Sequence, residues 1–307
     1  KECALAYIDS HKSGWKSRKH ESQWRNTLET YAYPVIGGLS VQDVDIVLIL
    51  KILEPLWKEK TETATRVRQR IENVLDWAAV RNYRQGENPA RWRGHLDKLL
   101  PKRMKVQKVK HFPAMPYKAV PDYFRELRQV DTVSAKALAF IIITATRNTE
   151  AREVRWQEID LKSMIWEIPA ERMKADRPHR VPLSSEAVKI LKEVKGYGSD
   201  FVFAGAKHDK SICEASVRNI LRKTHNGLTV HGFRSSFRDW CAEMTSYPRE
   251  VAEAALAHVL KDKTEAAYQR GDIFDKRLKL MDSWADYCLN GSRAADVVPI
   301  KKKRKGA

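Results

Sequence analysis

Four clusters in the second half of the sequence carry side chains suited to binding a phosphate. The first is Thr144-Ala145-Thr146-Arg147-Asn148-Thr149-Glu150, which ends an apolar run. Glu150 follows Arg147 by three residues, so its carboxylate can aim the guanidinium at an oxyanion; the same two residues would equally make a structural ion pair. Lys174 lies in the polar stretch 172–177 between two predicted strands. A lysine there is simply exposed unless the turn reaches into a nucleic-acid groove. In His231-Gly232-Phe233-Arg234 the imidazole and guanidinium share one face of a predicted helix at i, i+3, and a helix N-terminus at that point favours an anion. His258 follows Leu256-Ala257, and Tyr268 stands ten residues beyond it. Taken singly, each would fit a core position. The informative feature is the ordered set of Arg, Lys, His-x-x-Arg, His and Tyr.

These groups need elements to hold them. Residues 1–100 read as all-helical by hydrophobic period. Trp24, Leu28 and Tyr31 fall at i, i+4, i+7 before Pro34, which is expected to stop the helix. A second helical stretch covers 41–60, with a break expected at Pro55. A third places Val67, Ile71, Val74, Leu75 and Ala78 on one face and Arg66, Arg70 and Arg81 off it, facing either phosphates or solvent. Residues 101–117 then read as a basic linker, rich in Lys and Arg, interrupted by proline and free of acidic residues. Lys102, Arg103 and Lys105 are its candidate DNA contacts.

From 118 to 290 the pattern is mixed. An apolar helix is predicted over 133–146, strands over 154–161, 164–168 and 179–182, and a helix capped by Ser184 or Ser185 and ended by Gly196. Beyond Cys213 the chain reads as helices, with Phe233, Phe237, Trp240 and Met244 as a core stripe. The expected fold is mainly α with a small antiparallel β-sheet, as a helical domain followed by an α+β domain. Residues 291–307 form a basic tail.

The chain has 307 residues with 57 Lys+Arg against 39 Asp+Glu, a formal net charge of +18. Only five of those positive charges fall in the tail at 301–305, so the excess belongs to the body. Such a surplus points to a polyanionic partner, since neutralising phosphates releases condensed counterions. Cys3, Cys213, Cys241 and Cys288 show no CxxC spacing, which argues against a zinc site or a disulfide frame. No apolar run reaches the roughly 18 residues of a membrane span, so a membrane partner is not expected and a cytoplasmic location is.

Taken in order, the clusters resemble the catalytic signature of the tyrosine recombinases, and their surroundings are similar to the integrases of satellite phages and bacterial genomic islands. Supporting stretches are Glu87-Asn88-Pro89-Ala90-Arg91-Trp92, Arg177-Pro178-His179-Arg180-Val181-Pro182-Leu183, and residues 231–237. The resemblance covers nearly the whole chain. It implies a helical core-type DNA-binding domain (1–100) and a catalytic domain (118–290) that together clamp duplex DNA. It further implies that Arg147 and Arg234 are the catalytic arginines, Lys174 the hairpin lysine, His231 and His258 the paired histidines, and Tyr268 the nucleophile. Phenolate attack on a phosphodiester would gather charge for the guanidiniums to meet, with His231 as base and Lys174 as acid to the leaving 5′ oxygen. A 3′-phosphotyrosyl intermediate would store the bond without metal, ATP or other cofactor.

The implied partners are double-stranded DNA attachment sites, a homo-tetramer on synapsed DNA, and accessory DNA-bending or directionality factors, in the nucleoid of a bacterial host. Helix 274–289 would either swap into a neighbouring protomer or close its own domain. The family usually carries glycine where this chain has Ala145, which could keep the turn with a negative φ. Full-length relatives also have an N-terminal domain for accessory arm sites, a function expected to be absent here. A type IB-like topoisomerase and a catalytically silent DNA-binding regulator are the competing readings.

Overall fold

The computed structural model describes residues 1–15, 18–102, 106, 113–196, 199–207, 209–258 and 273–291. The chain forms two compact units, Lys1–Lys110 and His111–Ala307.

The first unit is helical: α1 (Glu2–His11), α2 (Arg18–Thr27), a π-helical turn (Leu28–Ala32), α3 (Tyr33–Ile36), α4 (Ile46–Glu59) and α5 (Thr61–Val80). Asp45 starts α4 by accepting from the Leu48 N–H at 2.9 Å. Val67, Ile71, Val74, Leu75 and Ala78 are all buried, as their spacing predicts. Three expectations need correction. Pro34 does not stop the helix; the π turn shifts the register, and Pro34 falls in the first turn of α3, where no N–H is needed. Pro55 does not break α4, because Ile49, Ile52, Leu53 and Trp57 are buried on either side of it and their packing outweighs one lost hydrogen bond. Arg70 is not a surface cation: it is buried, donates to the Gln23 carbonyl at 2.6 Å and lies over Trp24. The 87–92 stretch is structural. Arg68 donates to the Ala90 carbonyl at 2.8 Å, Asn88 to the Glu72 carbonyl at 2.8 Å, and Trp92 stacks on Trp57.

The second unit is built around α7 (Val133–Thr144), apolar on every side and buried from Ala137 to Thr144. Before it comes α6 (Val120–Arg128). After it come α8 (Asn148–Arg152), strands β1 (Ile159–Asp160), β2 (Ile165–Ile168) and β3 (His179–Pro182), then α9 (Ser185–Val194), α10 (Glu214–Thr224), α11 (Gly232–Met244), α12 (Arg249–Ala255) and α13 (Phe274–Asn290). The sheet is antiparallel in the order β1-β2-β3, with Ile168 opposite His179. The first strand is shorter than expected because Trp156–Glu158 winds into a 3₁₀ turn. Ser184 caps α9. In the core stripe of α11, Phe233, Phe237 and Trp240 are buried but Met244 is exposed. The core reaches back to Met115 and Tyr117. Helix α13 packs on its own unit: Trp284 is fully buried, meets Phe237 edge-on and Trp240 at a tilt, and donates to the Ile142 carbonyl at 2.9 Å. No helix among the described residues is long and apolar enough to cross a membrane.

Candidate active site

The site begins where α7 ends. Ala145 adopts a left-handed conformation, φ 51° and ψ 24°, and so turns the chain out of the helix. This corrects the expectation of a negative φ: the buried turn holds alanine in a region that glycine occupies at less cost. Arg147 then precedes α8, and Glu150 fixes it twice. The carboxylate accepts from the Arg147 N–H at 2.9 Å and from its Nη1 at 2.7 Å. Glu150 is buried and the Arg147 side chain is one-quarter exposed, so the guanidinium is held in place while part of it stays open to solvent.

Helix α11 supplies the next two groups. Gly232 sits where a Cβ would come within 2.5 Å of the Pro113 carbonyl, so only glycine allows residues 113–114 to pass this close. That contact seats the N-terminus of α11, with His231 as its N-cap. Arg234, one turn on, is almost fully buried. Its Nη1 donates to the Ala145 carbonyl and its Nη2 to the Leu256 carbonyl, each at 2.6 Å.

The two arginines meet at the turn after α12. Arg147 Nη2 donates to the Ala257 carbonyl at 3.1 Å, beside the Leu256 carbonyl used by Arg234. Arg234 Nη2 also lies 3.1 Å from His258 Nε2. Burial, and then the neighbouring Arg147, bring Arg234 down to about 10, which still leaves it charged at neutral pH. His231 is lowered by burial, then by Arg234, Arg147 and His258. It is therefore held neutral and able to accept a proton. Two guanidiniums and two imidazoles thus share one basic site, and a phosphate would relieve their mutual repulsion.

Lys174 lies exposed in the β2–β3 connection, next to the buried Met173. Arg172 anchors that connection: it pairs with Glu158 and donates to the Glu150 carbonyl at 2.5 Å. Lys102 is exposed. Tyr268, Arg103 and Lys105 lie outside the described residues. Among the described residues, no three His, Cys, Asp or Glu side chains are grouped to hold a metal ion.

Sequence reasoning missed three groups here. Glu253 accepts from His258 Nδ1 at 2.6 Å and from Arg238 at 2.7 Å. Arg277, fully buried, donates to the Arg180 carbonyl at 2.6 Å. His179 hydrogen-bonds the Ala255 backbone and is depressed to about 4, first by burial and then by Arg277 and Arg147. Residues 255, 256 and 257 therefore receive His179, Arg234 and Arg147 in succession. Only the 177–183 motif hinted at His179.

A stability consequence follows for His179. In the unfolded chain an imidazole takes up its proton near pH 6.5, whereas in the folded chain it resists until about 4. Its neutral form favours folding above that range, and the advantage is lost as pH falls through it. Unfolding free energy is expected to drop by about 2 kcal/mol between pH 7 and 5 through this group. The urea midpoints of His179→Asn should decline less steeply with acid; parallel slopes would remove His179 as the cause.

Comparison with known proteins gives the family. Residues 1–95 match the phage integrase central domain and residues 117–272 match the phage integrase family. The chain belongs to the phage integrase family. It is a tyrosine-type site-specific recombinase in class. Prophage integrase IntZ of Escherichia coli K12 is 30% identical over 292 residues, covering 93% of this chain and 70% of IntZ. Prophage integrase IntA of the same strain is 32% identical over 275 residues, covering 86% of this chain and 63% of IntA. Among solved structures, residues 75–356 of lambda integrase, a dimer bound to a COC′ core site, match with a TM-score of 0.65 at 14% identity, over 86% of this chain and 96% of that one. The Tn1549 transposon integrase with circular intermediate DNA gives 0.58 at 12% identity, over 88% of this chain and 99% of that one. At such identities these two likenesses establish the fold alone.

Proposed function

We propose that this integrase cleaves and rejoins DNA strands through Tyr268, forming a 3′-phosphotyrosyl bond, and so integrates or excises a mobile element. The observation that carries the reading is the convergence of Arg147, Arg234, His231 and His258 at two adjoining turns, with Tyr268 ten residues past His258. The guanidiniums meet charge gathering on the non-bridging oxygens. His231 takes the phenol proton, a role its lowered proton affinity suits at neutral pH. Lys174, exposed on its hairpin, protonates the leaving 5′ oxygen, and His258 donates to a phosphate oxygen. A second 5′-hydroxyl then attacks the phosphotyrosine and displaces the phenolate, so the bond energy is conserved.

The partners in this reading are double-stranded attachment sites and three further copies of the chain on synapsed DNA. Lambda integrase has been solved as a tetramer bound to a Holliday junction, which supports that stoichiometry. Residues 1–100 act as the core-type DNA-binding domain and 101–117 as a basic linker, with Lys102, Arg103 and Lys105 toward phosphates. Accessory bending or directionality factors complete the set, in the nucleoid of a bacterial host. The test is to trap the protein on a nicked duplex carrying the element's junction and to sequence the DNA-linked peptide. Attachment at Tyr268 is expected. A bound protein that yields no adduct, or an adduct elsewhere, overturns the reading. Strand exchange between two sites, rather than relaxation of one supercoiled circle, separates a recombinase from a topoisomerase.

A further inference from the structure

We propose that Glu253 is the positioning residue for His258, holding its ring so that Nε2 is the atom presented to Arg234 and to the phosphate. The inference rests on the recombinase reading and adds to it a residue outside the reacting set. His258 Nε2 lies 3.1 Å from Arg234 Nη2, and a guanidinium nitrogen can only donate. The ring hydrogen of a neutral His258 therefore sits on Nδ1, where Glu253 Oε2 accepts it at 2.6 Å. In that state Nε2 has no hydrogen to give. To donate to a phosphate oxygen, His258 must gain a proton from solvent and become an imidazolium, with Nδ1–H still on Glu253 and the new Nε2–H on the phosphate.

Glu253 favours this change because it stays ionised. Burial raises its proton affinity, but hydrogen bonds from His258 and Arg238 more than offset that. The His258 side chain is 44% exposed, so a DNA phosphate can reach it. Among the described residues, the charged and titratable groups near the pair include Arg234, Arg238 and His231 on or beside α11, Arg249 on α12, and Arg147 before α8 with its partner Glu150. Arg234 meets the ring at Nε2, and Glu253 is the carboxylate in contact with it at Nδ1.

The experiment is single-turnover cleavage of a nicked duplex from pH 6 to 9 by wild type, Glu253→Gln, Glu253→Asp and Arg238→Gln, each checked by thermal melting. A neutral amide in place of that carboxylate no longer favours a protonated ring beside it. Glu253→Gln should thus lose about tenfold or more at pH 8, with the loss shrinking toward pH 6. Glu253→Asp keeps the charge and should keep the wild-type profile shape. Arg238→Gln removes only the other partner and should follow wild type within about threefold. A Glu253→Gln loss that is absent, or equal at every pH, overturns the proposal, as does an Arg238→Gln loss of the same size and slope. Should Glu253→Gln fail to fold, the decision passes to Glu253→Asp, whose profile must match wild type in shape. Should wild type itself form no adduct, the recombinase reading falls, and this proposal with it.

Discussion

Tyr268→Phe is expected to bind attachment-site DNA with wild-type affinity and to form no covalent adduct on a nicked duplex. The phenol oxygen is the only atom removed, and the variant keeps the net charge of +18 that favours a polyanion. Loss should be complete rather than partial, because no second nucleophile occupies the same place in the ordered set. Denaturing gels of wild type and variant on one labelled duplex would decide it. A shifted band from the variant refutes the assignment of Tyr268.

Arginine removal should be nearly as severe. Arg147→Ala and Arg234→Ala are each expected to slow cleavage by at least about 100-fold, the scale for losing one preorganised donor to a developing oxyanion. Each should also lower stability. Arg147→Ala takes the guanidinium from the buried Glu150 carboxylate, leaving a buried charge without its cation. Arg234 is nearly fully buried and leaves the Ala145 and Leu256 carbonyls without their donor, at about 1–3 kcal/mol for an unsatisfied buried group. Both variants should therefore melt below wild type, which thermal melting of each would check. Near-wild-type cleavage by either variant would take that arginine out of the mechanism.

Much of the site was legible in the sequence because its logic is local. His231 and Arg234 share a helix face at a spacing that any helical reading predicts, and Glu150 stands at the one offset that lets it grip both the backbone and side chain of Arg147. The apolar run of α7 announced a buried helix, and three short strands announced the sheet. What escaped is contact between elements distant in the chain. His179 reaches residue 255, Arg277 reaches Arg180, and Glu253 matters only because His258 turns back onto it. No periodicity encodes those meetings. Proline misled at 34 and 55 for the opposite reason: its local rule is strong, but a π turn absorbed one and apolar packing overrode the other. Arg70 was placed off the apolar face by the helix wheel, toward phosphates or solvent, whereas an indole and a carbonyl draw it inward.

The turn at Ala255, Leu256 and Ala257 contributes no reactive side chain, yet its main chain receives an imidazole and both guanidiniums. Side-chain replacements there can be mild while a one-residue insertion or deletion is ruinous, because a slip of the backbone would dislodge three cationic or polar heads together. In the proposed mechanism, this turn before Tyr268 is thus geared to the arginines that would grip the phosphate, and neither could be re-engineered for a new substrate without re-indexing the other.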